Sequence, residues 1–183
     1  MIHLGILLIA PLVQSQNPVS LKTIAHFHGK QPETVSLFNP ASESKNELDA
    51  YVEHSLSLTL RQESFDQLVS GKPTLLRLQL PSPLNINLDL YQVSIFSETS
   101  QILTSDGREL PHDPAHIFYR GMISGNPNSL AVVSVFENKI QILYADENGN
   151  KRIQQRQDGS YIAFEDKDIK IPNQLNCFGE RLV

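Results

Sequence analysis

Hydrophobic and polar residues alternate along several short segments of the chain. Leucines occupy every second position from 56 to 60 and again from 76 to 80, with polar residues between them. A period of two predicts strands that have one buried and one exposed face. A third segment, 86–96, changes the parity of its apolar residues between Leu90 and Tyr91. That change predicts either a β-bulge or a strand whose second half is covered on both faces.

The longest apolar run after the N-terminal segment lies at residues 119–136. Turn-forming residues interrupt it at 126–129, where the sequence is Asn-Pro-Asn-Ser. The run that follows, Leu130–Phe136, is mostly apolar and barely alternates, which predicts a strand buried on both faces. Two strands joined by such a turn predict a hairpin at the centre of a β-domain.

Further turn signals predict a meander after this hairpin. Asn148-Gly149 is the strongest short hairpin signal in the sequence, and Asp158-Gly159 is another. Residues 64–71 favour a single helical turn, with Ser64 as its N-cap and Gly71 just after its end. The pattern predicts a mainly β fold, an antiparallel β-sandwich or roll of about eight strands with one short helical turn. We expect one core that contains Leu58, Leu76, Leu78, Leu88, Tyr119, Val133, Val135, Ile142 and Phe164.

The composition narrows the classes of partner. The chain has 183 residues, which suits one domain, and a formal net charge of -5. An acidic chain is a poor ligand for phosphates, so we expect neither nucleic acid nor a membrane as partner. Lys151, Arg152 and Arg156 form the one basic cluster, which we interpret as a solvated hairpin tip.

The N-terminus predicts secretion. Residues 4–13 are apolar and too short to span a bilayer, and Val13-Gln14-Ser15 fits the small-residue cleavage rule. We therefore expect a signal peptide at 1–15 and an extracellular protein; the alternative is a buried N-terminal strand. Residues 16–50 contain three prolines and a polar run, which predicts a poorly ordered leader before a β-rich domain at 51–170. Within that leader, His26 and His28 are interpreted as polar surface.

Catalytic signatures are absent from the sequence. It contains no His-Glu-x-x-His, no Gly-x-Ser-x-Gly and no Cys-x-x-Cys. The best constellation is His112, Asp113 and His116, but Pro111 and Pro114 disfavour the helix that would bring both histidines to one metal. We therefore expect a protein that is not an enzyme, with a hydrolase using His112 and Asp113 as a distant alternative.

The central hairpin carries a family resemblance. Residues 119–129 read Tyr-Arg-Gly-Met-Ile-Ser-Gly-Asn-Pro-Asn-Ser, and a strand of small apolar residues follows. This stretch resembles the propeptide of reprolysin/adamalysin-type (ADAM-like) secreted zinc metalloproteases, which typically reads Tyr-x-Gly-x-Val-x-Gly-x-Pro-x-Ser. The close match covers about a tenth of the chain, and a looser one runs over 51–177. The chain departs from the family at Ile140-Gln141-Ile142, where glycines are usual.

Cys177 is the only cysteine, so it cannot form an internal disulfide. In the family that the chain resembles, the propeptide ends with a cysteine closely followed by glycine, and its thiolate occupies the open position of the catalytic zinc. The resemblance implies that Cys177, in a tail at 171–183, is such a cysteine switch and a ligand of the protease zinc. Here Gly179 stands two residues after the cysteine, where better-known versions have glycine directly after it. An unpaired thiol and a disulfide partner of a cysteine in another segment remain the alternatives.

The resemblance also implies a function. It implies a non-enzymatic propeptide-like domain that inhibits a secreted zinc metalloprotease and assists its folding. The partner would be the catalytic domain of that protease, in the same chain or in another, and zinc would belong to that partner, so this chain alone would bind no cofactor. The alternative function is a secreted β-sandwich module for adhesion or ligand binding, with no link to proteases.

Overall fold

The structure, a computed structural model, describes residues 18–42, 52–95, 102–103, 105–110, 116–136 and 138–170. The predicted signal peptide, His112, Asp113 and the tail with Cys177 lie outside the described residues. No helix in the described ranges is long and apolar enough to cross a membrane.

The described part of the chain is mainly β, as the sequence predicted. Its helices are α1 (Pro18–Phe27), α2 (Gln62–Gly71) and a 3₁₀ turn (Asp166–Asp168). Its strands are β1 (Glu33–Ser36), β2 (Phe38–Pro40), β3 (Leu56–Leu60), β4 (Leu75–Gln79), β5 (Asn87–Val93), β6 (Ile102–Leu103), β7 (Glu109–Leu110), β8 (Ile117–Ile123), β9 (Leu130–Phe136), β10 (Lys139–Asp146), β11 (Gly149–Gln155) and β12 (Tyr161–Glu165).

Ten of these strands form a single sheet that nearly closes on itself. Its order is β1-β4-β5-β8-β9-β10-β11-β12-β3-β2, while β6 and β7 pair separately. The two edge strands are consecutive in the chain, because only Leu37 separates β1 from β2. Strand β1 pairs with β4 in parallel and β2 pairs with β3 in antiparallel fashion. Residues 33–40 therefore join the two edges, and the sheet is a barrel with little free edge for other chains to pair with.

The core lies inside this barrel. Inward side chains include three fully buried tyrosines, Tyr119, Tyr144 and Tyr161, and Leu37 from the closing segment. Eight of the nine residues expected in the core belong to this cluster. The ninth, Phe164, lies outside the barrel in a second cluster with Val52 and Ile162, because Tyr161 and Ala163 take the inward positions of β12.

Strand β9 is buried on one face rather than two, which corrects the sequence prediction. Ala131, Val133 and Val135 are buried, whereas Leu130, Val132, Ser134 and Phe136 are half-buried. Three of these four half-buried residues are also apolar, so the alternation of buried and exposed positions is not visible in the hydropathy of the sequence.

Strand β5 is covered on both faces near its parity change, and it pairs with β4 and β8 in continuous register. Leu88 and Leu90 point into the barrel, and Asp89 and Tyr91 are buried on the outside. Helix α1 covers the outer face, where His26 stacks on Tyr91 with ring centroids 4.5 Å apart. The continuous register rules out the predicted bulge, and the part covered on both faces is Leu88–Tyr91 rather than the predicted second half of the segment, where Gln92 and Ile95 are exposed.

The predicted leader is not poorly ordered where it is described. Residues 18–40 form α1, β1 and β2, and they supply Leu37 and Phe38 to the core. The prolines that suggested disorder lie at the first position of α1, between α1 and β1, and at the end of an edge strand. Those are positions at which proline removes no needed hydrogen bond.

The predicted helical turn is a ten-residue helix, α2. Its N-cap is Arg61, three residues before the cap expected at Ser64. Its last residue is Gly71, and Lys72 has the left-handed conformation (φ 42°) that was expected at Gly71. Phe65 and Leu68 are its buried residues. Because α2 joins the end of β3 to the start of β4, it closes one end of the barrel with these two side chains.

Candidate functional site

The residues that carry the family resemblance are structural residues of the β8–β9 hairpin. The Ser129 hydroxyl accepts a hydrogen bond from the Ile123 backbone N–H (2.8 Å) and donates one to the Asn126 carbonyl (2.6 Å). Within the same turn, Gly125 has φ 81°, a conformation that favours glycine. The Ser20 hydroxyl of α1 donates to the Ser129 carbonyl (3.2 Å), so the turn also anchors the helix.

Gly121 has a steric role in the same motif. It faces Leu90 in the register between β8 and β5. A Cβ atom at Gly121 would overlap the Asp89 carbonyl oxygen and lie within 2.9 Å of the Leu90 Cα atom. Only glycine allows the two strands to approach this closely.

The histidines that the sequence singled out are not assembled into a site by the described residues. His116 packs edge-on against Phe136 (5.2 Å between centroids), and Phe118 packs against Phe136 (5.5 Å). His26 is exposed and stacks on Tyr91. Across the described ranges, no three His, Cys, Asp or Glu side chains are placed to hold one metal ion.

The basic cluster is not a solvated hairpin tip. The Lys151 ammonium bonds to Asp146 (3.0 Å), and the Arg152 guanidinium bonds to Asp166 (2.7 Å). Arg156 is buried at 6% exposure and donates to the Ser57 hydroxyl (3.2 Å). Each cation has its own oxygen partner, so the three do not form a joint basic patch.

The barrel end opposite α2 carries a candidate binding site, which we call the mouth pocket. It has a volume of about 370 Å³, near the lower end of the range of ligand pockets. It is lined by His54, Ser55, Leu56, Pro83, Leu84, Ile86, Tyr144, Lys151, Ala163, Phe164, Glu165 and Asp168. These residues come from strand ends and loops that meet at this end of the barrel, so the tertiary fold alone brings them together.

A row of charged side chains crosses one wall of the mouth pocket. In the strand register Lys151 stands between Tyr144 on β10 and Glu165 on β12. The Lys151–Asp146 pair is largely buried, with 14% and 13% of the side chains exposed, and the ammonium lies 5.9 Å from the centre of the Tyr144 ring. Hydrogen bonding to Lys151 holds the pKa of Asp146 below its usual range. Burial, with the charges of Glu165 and Asp146, raises the pKa of Tyr144 to about 12.

The rim of the mouth pocket is also the place where the described chain ends. Val52 bridges to Ile169, and the Glu53 N–H donates to the Asp168 carbonyl (2.8 Å). The His54 ring nitrogen Nδ1 lies 3.1 Å from the Asp168 carboxylate. These contacts hold the last described residues, 168–170, at the pocket rim.

Sequence reasoning missed the mouth pocket. Its lining residues carry no shared motif, and several of them, such as Leu84 and Tyr144, have the hydropathy of ordinary core residues. The one available signal was Lys151, a charged residue at a position where the strand parity points inward.

The comparisons with known proteins supply no family. No family model matches the chain, and no curated protein matches its sequence at a significant level.

Proposed function

We propose that this chain is a secreted, non-enzymatic propeptide-like domain that inhibits a reprolysin-type zinc metalloprotease and assists its folding. The β8–β9 hairpin carries the proposal. The residues that it shares with those propeptides, Gly121, Gly125 and Ser129, are the ones that its geometry requires. A match at positions where the backbone requires a particular residue supports a shared hairpin architecture with those propeptides more strongly than a match of apolar composition would.

In this proposal Cys177 supplies the inhibitory group. A catalytic zinc has three protein ligands and a water molecule, and that water is the nucleophile for peptide hydrolysis. The Cys177 thiol would lose its proton, the sulfur would bind the zinc, and the water would leave. Hydrolysis then stops for lack of a nucleophile, while the barrel supplies affinity for the protease surface.

The test is the inhibition constant of the purified chain against zinc-loaded catalytic domains of reprolysin-type proteases. We expect Cys177→Ser to raise the constant at least tenfold, that is by about 1.4 kcal/mol or more. Asn176→Ser, the same new residue one position earlier, is the matched control and should inhibit like the parent. Inhibition by the parent should weaken as pH falls, because protons compete with zinc for the thiolate. Equal constants for parent and Cys177→Ser at neutral pH would remove Cys177 from the mechanism.

The mouth pocket favours a second candidate, a secreted module that binds a small ligand. Its volume and its mixture of apolar and charged lining residues are common to ligand sites. Screening the parent chain with a library of small amphipathic molecules would test it. A ligand that raises the unfolding temperature of the parent but not of a Ser55→Trp variant, whose indole would fill the pocket, would support this candidate.

A further inference from the structure

The positive charge that lines the mouth pocket is already neutralised within the fold. The Lys151 ammonium lies 3.0 Å from the Asp146 carboxylate, and the two side chains are only 14% and 13% exposed. It also lies over the Tyr144 ring, 5.9 Å from the ring centre. Removing one partner of such a largely buried pair leaves an uncompensated charge. A ligand therefore gains little by competing with Asp146 for Lys151, which disfavours an anion in the pocket.

The two carboxylates that line the pocket have exposed partners instead. The Glu165 carboxylate lies 2.7 Å from the Lys167 ammonium, and the Lys167 side chain is 71% exposed. The Asp168 carboxylate lies 3.1 Å from the His54 ring nitrogen Nδ1, and the His54 side chain is 77% exposed. Contacts with such exposed side chains contribute little, because water and salt screen them. A ligand can replace either partner at small cost, and the group that does so must donate hydrogen bonds or carry positive charge.

The negative charge of these carboxylates acts on the groups around them. Hydrogen bonding to Glu165, and then the charges of Glu165 and Asp168, raise the pKa of the Lys167 ammonium. Burial, and then the charges of Glu165 and Asp146, raise the pKa of Tyr144, whose side chain lines the pocket. The rim therefore favours a positively charged group over an uncharged one. Lys167 shows that a primary ammonium fits against Glu165.

Apolar side chains form much of the remaining lining. Leu56, Leu84 and Ile86 are partly buried and pack against the barrel core, and Phe164 is 9% exposed. Lys167 is not one of the lining residues, so its methylene chain does not cover these side chains. A molecule that joins an ammonium group to an apolar body would contact the carboxylates and the apolar side chains at once. It would therefore bury apolar surface that Lys167 leaves in contact with water.

We propose that the mouth pocket binds small primary amines that carry an apolar body, with the ammonium group at Glu165 and Asp168 and the body against the apolar lining. This inference rests on the second candidate function and adds the class of ligand to it. In the complex the ligand ammonium takes the place of the Lys167 ammonium on Glu165, and Lys167 turns towards solvent. One ammonium is exchanged for another, so the burial of the apolar body supplies the net gain.

The experiment titrates the parent chain with three probes that share a phenyl body: phenethylamine, phenethyl alcohol and hydrocinnamate. A cavity of about 150 Å³ can hold benzene, so a phenyl ring fits a pocket of about 370 Å³. Titration calorimetry at neutral pH gives a dissociation constant for each probe. We expect the amine to bind at least about tenfold more tightly than the alcohol or the carboxylate.

Two variants at the rim should change the affinity for phenethylamine in opposite directions. Glu165→Gln removes the accepting charge and should weaken binding at least about tenfold, whereas Lys167→Gln removes the competing ammonium and should strengthen binding about two- to fivefold. Glu63→Gln on α2 and Lys139→Gln on β10 are the matched controls, because they make the same changes of charge at exposed positions outside the pocket. Each control should change the dissociation constant by less than about twofold. Thermal unfolding identifies any variant that has lost its fold.

The outcomes separate this inference from the function on which it rests. Equal affinities for the amine and the alcohol, both abolished by Ser55→Trp, would keep the pocket as a ligand site and overturn the ligand class alone. Weaker amine binding in both Glu165→Gln and Lys167→Gln, or amine binding that Ser55→Trp leaves unchanged, would overturn the inference as well. A parent chain that binds none of the three probes overturns it too. If the library screen then finds no ligand that Ser55→Trp excludes, the second candidate function is overturned with it.

Discussion

Of the described glycines, Gly121 is the one at which a Cβ atom would meet backbone atoms of a neighbouring strand. Its strand passes so close to β5 that a methyl group would overlap the Asp89 carbonyl. We expect Gly121→Ala to lower the free energy of unfolding by at least about 2 kcal/mol, because backbone atoms of two strands must move. Gly71→Ala is the control: nothing lies within 4 Å of its Cβ position at the end of α2, so stability should stay constant or rise by up to about 1 kcal/mol. Urea unfolding of both variants measures these changes. Equal stabilities of Gly121→Ala and Gly71→Ala would refute the close approach of Gly121 to the β5 backbone.

Ser129 holds the hairpin turn through its hydroxyl group. Ser129→Ala leaves the Ile123 N–H without its partner in a part-buried turn, so we expect a loss of about 1–3 kcal/mol in unfolding free energy. The control is Ser134→Ala, on the outer face of the following strand β9, which should change the free energy of unfolding by less than about 0.5 kcal/mol. If both serines tolerate alanine equally, the Ser129 hydroxyl does not hold the turn.

At the residue scale the sequence could indicate the motif but not the reasons for it. Turn residues at 126–129 are recognisable from their backbone preferences, and so is the left-handed glycine before them. The contact that requires Gly121 depends on β5, where its partner Leu90 lies 31 residues earlier in the chain. The mouth pocket is harder still to predict from the sequence, because its lining residues come from segments that are brought together only when the sheet closes.

The closing segment 33–40 is the element on which the barrel depends. Leu37 is fully buried, and its carbonyl accepts a hydrogen bond from the Arg61 N–H (2.8 Å). We expect Leu37→Ala to cost about 2–5 kcal/mol and to speed amide hydrogen exchange in both β3 and β4, because each loses a well-held neighbour. Val35→Ala, at a half-buried position of the same segment, should cost only about 1 kcal/mol. Faster exchange confined to β3 or to β4 would contradict joint closure of the two edges.

At the element scale, long-range pairing explains what the sequence reveals and what it hides. Antiparallel strands with alternating residues, such as β3 and β4, follow from local pattern. The pairing of the closing segment does not, because β1 joins β4 in parallel and each of its residues pairs with one 43 positions later in the chain. Helix α1 is also not predictable from its local pattern. Its buried residues are Ser20 and Thr23, whereas Leu21 and Ile24 are exposed, which reverses the usual amphipathic pattern.

At the scale of the whole molecule, the barrel is built around neutral tyrosines. Tyr119, Tyr144 and Tyr161 are at most 1% exposed. Burial raises the pKa of all three phenols, that of Tyr144 to about 12. Tyr161 accepts a hydrogen bond from the Ile140 N–H (3.2 Å), whereas the Tyr119 hydroxyl has no hydrogen-bond partner among the described residues. The core therefore favours the protonated form of each side chain.

This preference predicts that the barrel unfolds cooperatively in alkali. Below about pH 10 the tyrosines are neutral in both states, so their contribution to stability is complete. Above that pH the unfolded chain releases phenolic protons that the folded chain retains, and the free energy of unfolding falls until the folded pKa values are passed. Tyrosinate absorbance should therefore rise together with the loss of β circular dichroism. Tyr144→Phe removes one of these groups and should make the fall of stability with pH shallower. Tyrosinate absorbance that rises near pH 10 for all tyrosines, while the β signal persists, would show that the three phenols are not held in a closed core.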